Sequence, residues 1–203
     1  TGYGVVYFVE KMLEQKNMNF KDKRVSISGS GNVAQYAAEK VISLGGKVVT
    51  MSDSSGFIHD QDGINLEKLK YLMKIKNVDR ERISKYVEKF SSASYFESQT
   101  PWKVECDIAL PCATQNELQL ADAKELIKNG CICVGEGANM PTTPDAISLL
   151  TERKVLFAPG KASNAGGVAV SGLEMAQNSL RYNWSRNEVD SKLKEIMLSL
   201  IHI

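Results

Sequence analysis

Residues 24–40 read RVSISGSGNVAQYAAEK. A short apolar run, Val25 and Ile27, meets Gly29-Ser30-Gly31, and helix formers follow at once in Val33, Ala34, Ala37 and Ala38. The order is strand, tight turn and helix start with the spacing G-x-G-x-x-A, the dinucleotide fingerprint with alanine in the third small position. Gly29 permits the sharp turn, and Gly31 removes the Cβ that would hold a pyrophosphate away from the backbone. Free N–H groups at the helix start then face the phosphates with the positive end of the helix dipole. Taken alone, the same glycines also fit an ordinary strand-to-helix turn. The next segment strengthens the nucleotide reading: a second predicted strand, 47–52, ends at Asp53, 22 residues beyond Gly31, close to where the fingerprint wants a ribose-binding acid.

Outward from this unit, strand and helix patterns alternate. Val5, Val6, Phe8, Val9, Met12 and Leu13 fall at helical spacing over 3–15. Residues 17–23 are turn-like, and the fingerprint helix, 32–44, stops at Gly45-Gly46. Residues 56–90 read as a mostly helical charged insertion anchored by Phe57, Ile58, Ile64 and Leu66, with a solvated Lys/Glu-rich face. Short strands are predicted at 94–97, 107–110, 131–135 and 155–158, and helices at 121–128, 144–153 and 167–182. The expected fold is α/β: a Rossmann-like, doubly wound, mostly parallel sheet with helices on both faces, forming one dinucleotide-binding domain over 1–203.

The chain has 203 residues, 43% of them hydrophobic, and a net charge of +1, so it can bury a core and has no bulk electrostatic attraction to nucleic acid. No run approaches the roughly 18 apolar residues that suggest a membrane span. Cys106, Cys112, Cys131 and Cys133 form no C-x-x-C pair, which points to buried thiols in a reducing compartment and a cytoplasmic location. With His59 and His202 the only histidines, no metal site is expected. Residues 1–4, TGYG, run straight into a helix without an initiator Met, and the amphipathic pattern of 188–203 lacks a C-cap. The chain therefore reads as a piece of a longer protein.

In an open parallel sheet, ligands bind at the carboxyl ends of the strands. Every predicted tip carries small or amide residues: Gly29 to Asn32, Asp53 to Ser55, Pro111 to Asn116, Glu136 to Asn139 and Pro159 to Asn164. Such loops offer neutral donors and acceptors to a carboxamide and to ribose hydroxyls, although each Asn, Ser or Thr can also cap a helix or close a turn. The only carboxylates read at tips are Asp53 and Glu136, and no nucleophile elbow or His dyad is present. Cys112 reads as a packed thiol. The residues alone thus support dinucleotide binding and give little for catalysis.

TGYGVVY, SGSGNVAQYAAEK, SDSSG, PWKVECDIALPCATQNEL, EGANMPTT and APGKASNAGGVAVSGLEMAQNS, in this order, resemble the cofactor domain of the hexameric glutamate dehydrogenases. The resemblance implies hydride transfer between a nicotinamide cofactor and L-glutamate, yielding 2-oxoglutarate and ammonia, or the reverse. It places Thr1 at the nicotinamide carboxamide and Asn32, next to Val33, at the phosphates or ribose. It also places Asn116, Asn139 and Asn164 near the nicotinamide half. Ser171 matches a residue holding the substrate's distal carboxylate and Val168 one lining its side-chain pocket. The family's catalytic lysine and aspartate belong to a preceding substrate domain, so no catalytic residue is expected among these 203, and the hexamer forms largely through that domain. Two features disagree on the cofactor. Asp53 as a ribose partner favours NAD, because a carboxylate repels a 2′-phosphate. SDSSG resembles NADP-using members, in which the residues matching Ser54 and Lys76 receive that phosphate, and NADP is the expectation adopted.

Overall fold

The structure is a computed structural model that describes residues 1–200; His202 and the last residues of the 188–203 pattern lie outside the described residues. The chain runs α1 (Gly2–Glu14), β1 (Arg24–Ile27), α2 (Asn32–Ser43), β2 (Lys47–Asp53), β3 (Gly56–Ile64) and α3 (Leu66–Asn77). The single turn α4 (Tyr86–Lys89), β4 (Ala93–Glu97), β5 (Ile108–Leu110), α5 (Leu120–Lys128), β6 (Cys133–Gly135) and α6 (Pro144–Glu152) come next. The chain ends with β7 (Leu156–Ala158), the short α7 (Gly160–Ser163), α8 (Gly166–Leu180) and α9 (Arg186–Ser199).

All seven strands form one sheet in the order β4-β3-β2-β1-β5-β6-β7. β1 lies between β2 and β5 and is parallel to both, and β6 and β7 extend the parallel ladder. The chain winds outward from β1 to one edge, then crosses back to wind outward on the other side. Such a reversal opens a crevice at the carboxyl ends of the two strands flanking it, here β1 and β5.

Helices cover both faces, which is why β5 reads Ile-Ala-Leu with every residue buried instead of alternating apolar and polar. Ile108 and Leu110 join the larger core with Val5, Val9, Ala37 and Leu72 of α1, α2 and α3. Ala109 and Val134 point the other way, into a second core with Trp102, Leu126 and Leu150 under α5 and α6. α9 buries Leu193 and Met197 in the larger core, against α1.

The start of the charged insertion departs from expectation. Residues 56–64 form a strand, antiparallel to β2 on one side and to β4 on the other. Asp60, Gln61, Asp62 and Gly63 are poor strand formers, so local propensity hides the strand. Cross-strand partners override it: Phe57 lies opposite Phe96, and their rings stack at 4.8 Å. The tip after β2 is consequently a hairpin turn, with Asp53 opposite Gly56, and the antiparallel pair replaces a parallel edge strand.

Candidate dinucleotide-binding site

Two serines at strand ends fix the fingerprint turn. The amide of Gly29 donates to Ser52 Oγ (2.7 Å) while Ser52 N donates to Gly29 O (3.1 Å), tying the turn to β2. Cys112 N donates to Ser28 Oγ (2.9 Å), tying it to the tip after β5. Gly29 has φ +86°, and a Cβ built there would stand 2.9 Å from the Cys112 carbonyl oxygen. Gly31 caps α2 without any side-chain hydrogen bond, and a Cβ on it would meet nothing within 4 Å. An uncapped helix start facing open space fits a diphosphate.

On one side of this turn, Thr1, Val33, Asn139, Asn164, Val168 and Ser171 line a single concavity of about 610 Å³. Five residues expected at the nicotinamide and substrate end, Thr1, Asn139, Asn164, Val168 and Ser171, are therefore brought together, with Val33 of the phosphate turn beside them. Asn116 does not line it; its amide instead donates to Met140 O (3.0 Å), binding its own loop to the tip after β6. Val168 is 79% exposed, so its side chain faces the opening. Cys112 also borders the concavity, and burial pushes its thiol far above the ordinary cysteine range. Cys112 is therefore expected to resist alkylation by iodoacetamide at neutral pH in the native state, as read by intact mass, and rapid labelling would refute this.

On the other side lies the β2–β3 turn. Asp53 Oδ1 accepts the Ser55 amide (2.8 Å) and Oδ2 the Ile83 amide (3.1 Å), and the side chain is only 5% exposed. Its carboxylate thus braces the turn. Ser54 is exposed, and its Oγ accepts a hydrogen bond from Arg82 Nη1 at 2.6 Å. Lys76 Nζ stands 3.9 Å from Asp53 Oδ2 and donates to Glu81 O (3.4 Å). Ser54, Lys76 and Arg82 therefore gather at one tip.

Sequence reasoning missed Arg82, which it absorbed into a solvated charged face. It also missed Glu117, which folds back under the tip after β5, where Oε1 accepts the amides of Ala113 (2.9 Å) and Thr114 (3.3 Å). Burial raises this carboxyl, against the opposing pull of the Ser28 hydroxyl and those two amides. Arg82 leaves no local signal, since it meets Ser54 across 28 positions, whereas Glu117 lies only three and four positions from the amides it accepts. Among the described residues no cluster of His, Cys, Asp or Glu could hold a metal ion, and no helix is long and apolar enough to cross a membrane.

A sequence model of the glutamate/leucine/phenylalanine/valine dehydrogenases matches residues 1–202. The chain belongs to this family. It is 59% identical over 200 residues to the NADP-specific glutamate dehydrogenase of Haemophilus influenzae, an alignment covering 98% of the chain and 44% of that protein. It is 57% identical over 197 residues to the NAD(P)-specific glutamate dehydrogenase of Xylanibacter ruminicola, covering 97% and 44%. The fold superposes on the crystal structure of the Plasmodium falciparum glutamate dehydrogenase with a TM-score of 0.97 at 48% identity, covering 99% of the chain and 43% of that structure. The chain thus spans less than half the length of these family members.

Proposed function

We propose that this chain is the dinucleotide-binding domain of a glutamate dehydrogenase that uses NADP. The supporting observation is the serine-pinned turn at Gly29 and Gly31, which leaves the start of α2 uncapped between two distinct tips. The bound nicotinamide would supply the hydride acceptor or donor for interconversion of L-glutamate with 2-oxoglutarate and ammonia. The chain's own residues bind and orient: amides at the start of α2 hold the diphosphate, and Thr1, Asn139 and Asn164 offer neutral polar groups to the carboxamide and ribose. Val168 and Ser171 border the same concavity, where they would face the substrate. The groups that move protons belong to a substrate domain outside these residues, and the assembled enzyme is a cytoplasmic homo-hexamer.

Arg82, Lys76 and the Ser54 hydroxyl support NADP, because two cations and a hydroxyl at the β2 tip suit a 2′-phosphate dianion. NAD is the alternative, favoured by Asp53 at the fingerprint's acid position. Titrating the full-length protein with NADPH and NADH decides between them. NADPH is expected to bind more tightly, and Arg82→Ala to weaken it by about 10–100-fold, the range for a hydrogen bond to a charged group, with NADH little changed. Tighter NADH binding that is indifferent to Arg82→Ala would establish NAD instead.

A further inference from the structure

Glu136 follows directly on β6 and is 4% exposed, yet it does not line the concavity. Its Oε1 accepts the Thr142 amide at 3.2 Å, and its Oε2 accepts the Gly160 amide at 2.6 Å. The main chain closes a second contact between the same segments: Ser163 Oγ donates to the Glu136 carbonyl at 2.6 Å. Asn164 Nδ2 donates to Ala138 O at 3.0 Å, completing the clasp. One buried carboxylate and one buried hydroxyl therefore join the tip after β6, which carries Asn139, to the tip after β7, which carries Asn164.

Backbone amides from two different segments answer the two carboxylate oxygens, so the one side chain spans the gap between those segments. A neutral side chain cannot do the same work. Glutamine presents one acceptor and one donor, and the donor would face another N–H.

Resting on the reading of this crevice as a dinucleotide site, we infer that Glu136 is the positioning residue for its nicotinamide half. It locks the two tips into one unit, so that Asn139 and Asn164 hold fixed places around the ring. The adenine half, bound at the far tip beyond Gly29, does not depend on it.

The test measures binding to the full-length protein by calorimetry with two probes: the tighter-binding of NADPH and NADH, and the matching ADP-ribose (2′-phosphorylated for NADPH), which lacks only the nicotinamide. Glu136→Gln is expected to weaken the dinucleotide by about tenfold, as for one buried donor left unpaired, and to leave the ADP-ribose within about twofold. Equal weakening of both probes, or of neither, would overturn the inference, since general loosening of the fold cannot tell one half of the ligand from the other. Should Glu136→Gln fail to fold, Glu136→Asp keeps the charge but is one methylene shorter and cannot reach both amides, and the same selective loss is required of it. A wild-type protein that binds neither probe removes the dinucleotide reading and this inference together. A wild type that binds both beside an unaffected variant removes this inference alone.

Discussion

Gly29→Ala is expected to abolish the proposed dinucleotide binding and to lower stability by roughly 2–5 kcal/mol, the sum of about 1–2 for a left-handed side-chain residue and about 1–3 for a forced contact. The left-handed cost arises because φ is +86°. The contact is with rigid groups: the new Cβ would stand 2.9 Å from the Cys112 carbonyl oxygen, 3.2 Å from its carbon and 3.3 Å from Ala113 Cα. Relief must come from separating the β1 turn from the tip after β5, and that separation widens the crevice at its centre. Gly130→Ala is the matched control, with φ +81° and nothing within 4 Å of the built Cβ. It carries the backbone cost alone and is expected to lose only about 1–2 kcal/mol while binding normally. Urea denaturation and calorimetric titration of the two variants check both statements. A Gly29→Ala protein no less stable than Gly130→Ala would show that the crowding at this turn is easily relieved.

Asp60→Asn is expected to cost about 3–5 kcal/mol, the usual loss when one partner of a buried ion pair is removed. The Asp60 side chain is fully buried and meets Lys68 Nζ at 2.8 Å, with Tyr86 OH (2.6 Å) and Ser92 Oγ (2.9 Å) also donating to it. Its Oδ1 further accepts the Asp62 amide at 3.1 Å. This cluster binds β3, α3, α4 and the entry to β4, so it secures the antiparallel edge that carries the Ser54 tip. Burial pushes the Asp60 carboxyl up, but Lys68, Tyr86 and Ser92 outweigh it and hold the group below the usual carboxylate range. A depressed native value means that this stabilisation is present above the unfolded pKa, about 4, and is lost as the pH falls through the native value. Thermal melts of wild type and variant should therefore differ most near neutrality and converge in acid. A gap that stays constant down to the acid limit would show that Asp60 contributes by packing, with no role for its charge. Lys68→Met should cost a similar amount, and the double variant less than the sum, since the second change removes a charge the first had stranded.

How far each feature can be read from sequence depends on how local its cause is. Val25 and Ile27, the glycines at 29 and 31 and the alanines behind them act within a dozen residues, so strand, turn and helix start were readable and the structure places them as expected. The alternation after residue 107 likewise predicted β5, β6 and β7, each shortened at its start. The strand at 56–64 was hidden, because its stability comes from pairing with β2 on one side and with β4, some 33 to 41 positions away, on the other, and not from its own propensity.

The same division runs through the site. The amino-acid sequence by itself determined the doubly wound architecture and the placement of the crevice, since periodicity and turn chemistry are local and strand ends must converge where the winding reverses. Only the tertiary structure decided that Arg82 reaches Ser54, that Asp53 braces its own turn, and that Glu136 clasps two tips. The long-range contacts among these, Arg82 to Ser54, Asp53 to Ile83 and Glu136 to Gly160, span between 24 and 30 positions. A charge carries no mark in the sequence of which distant donor or acceptor will answer it until the sheet has brought the two together.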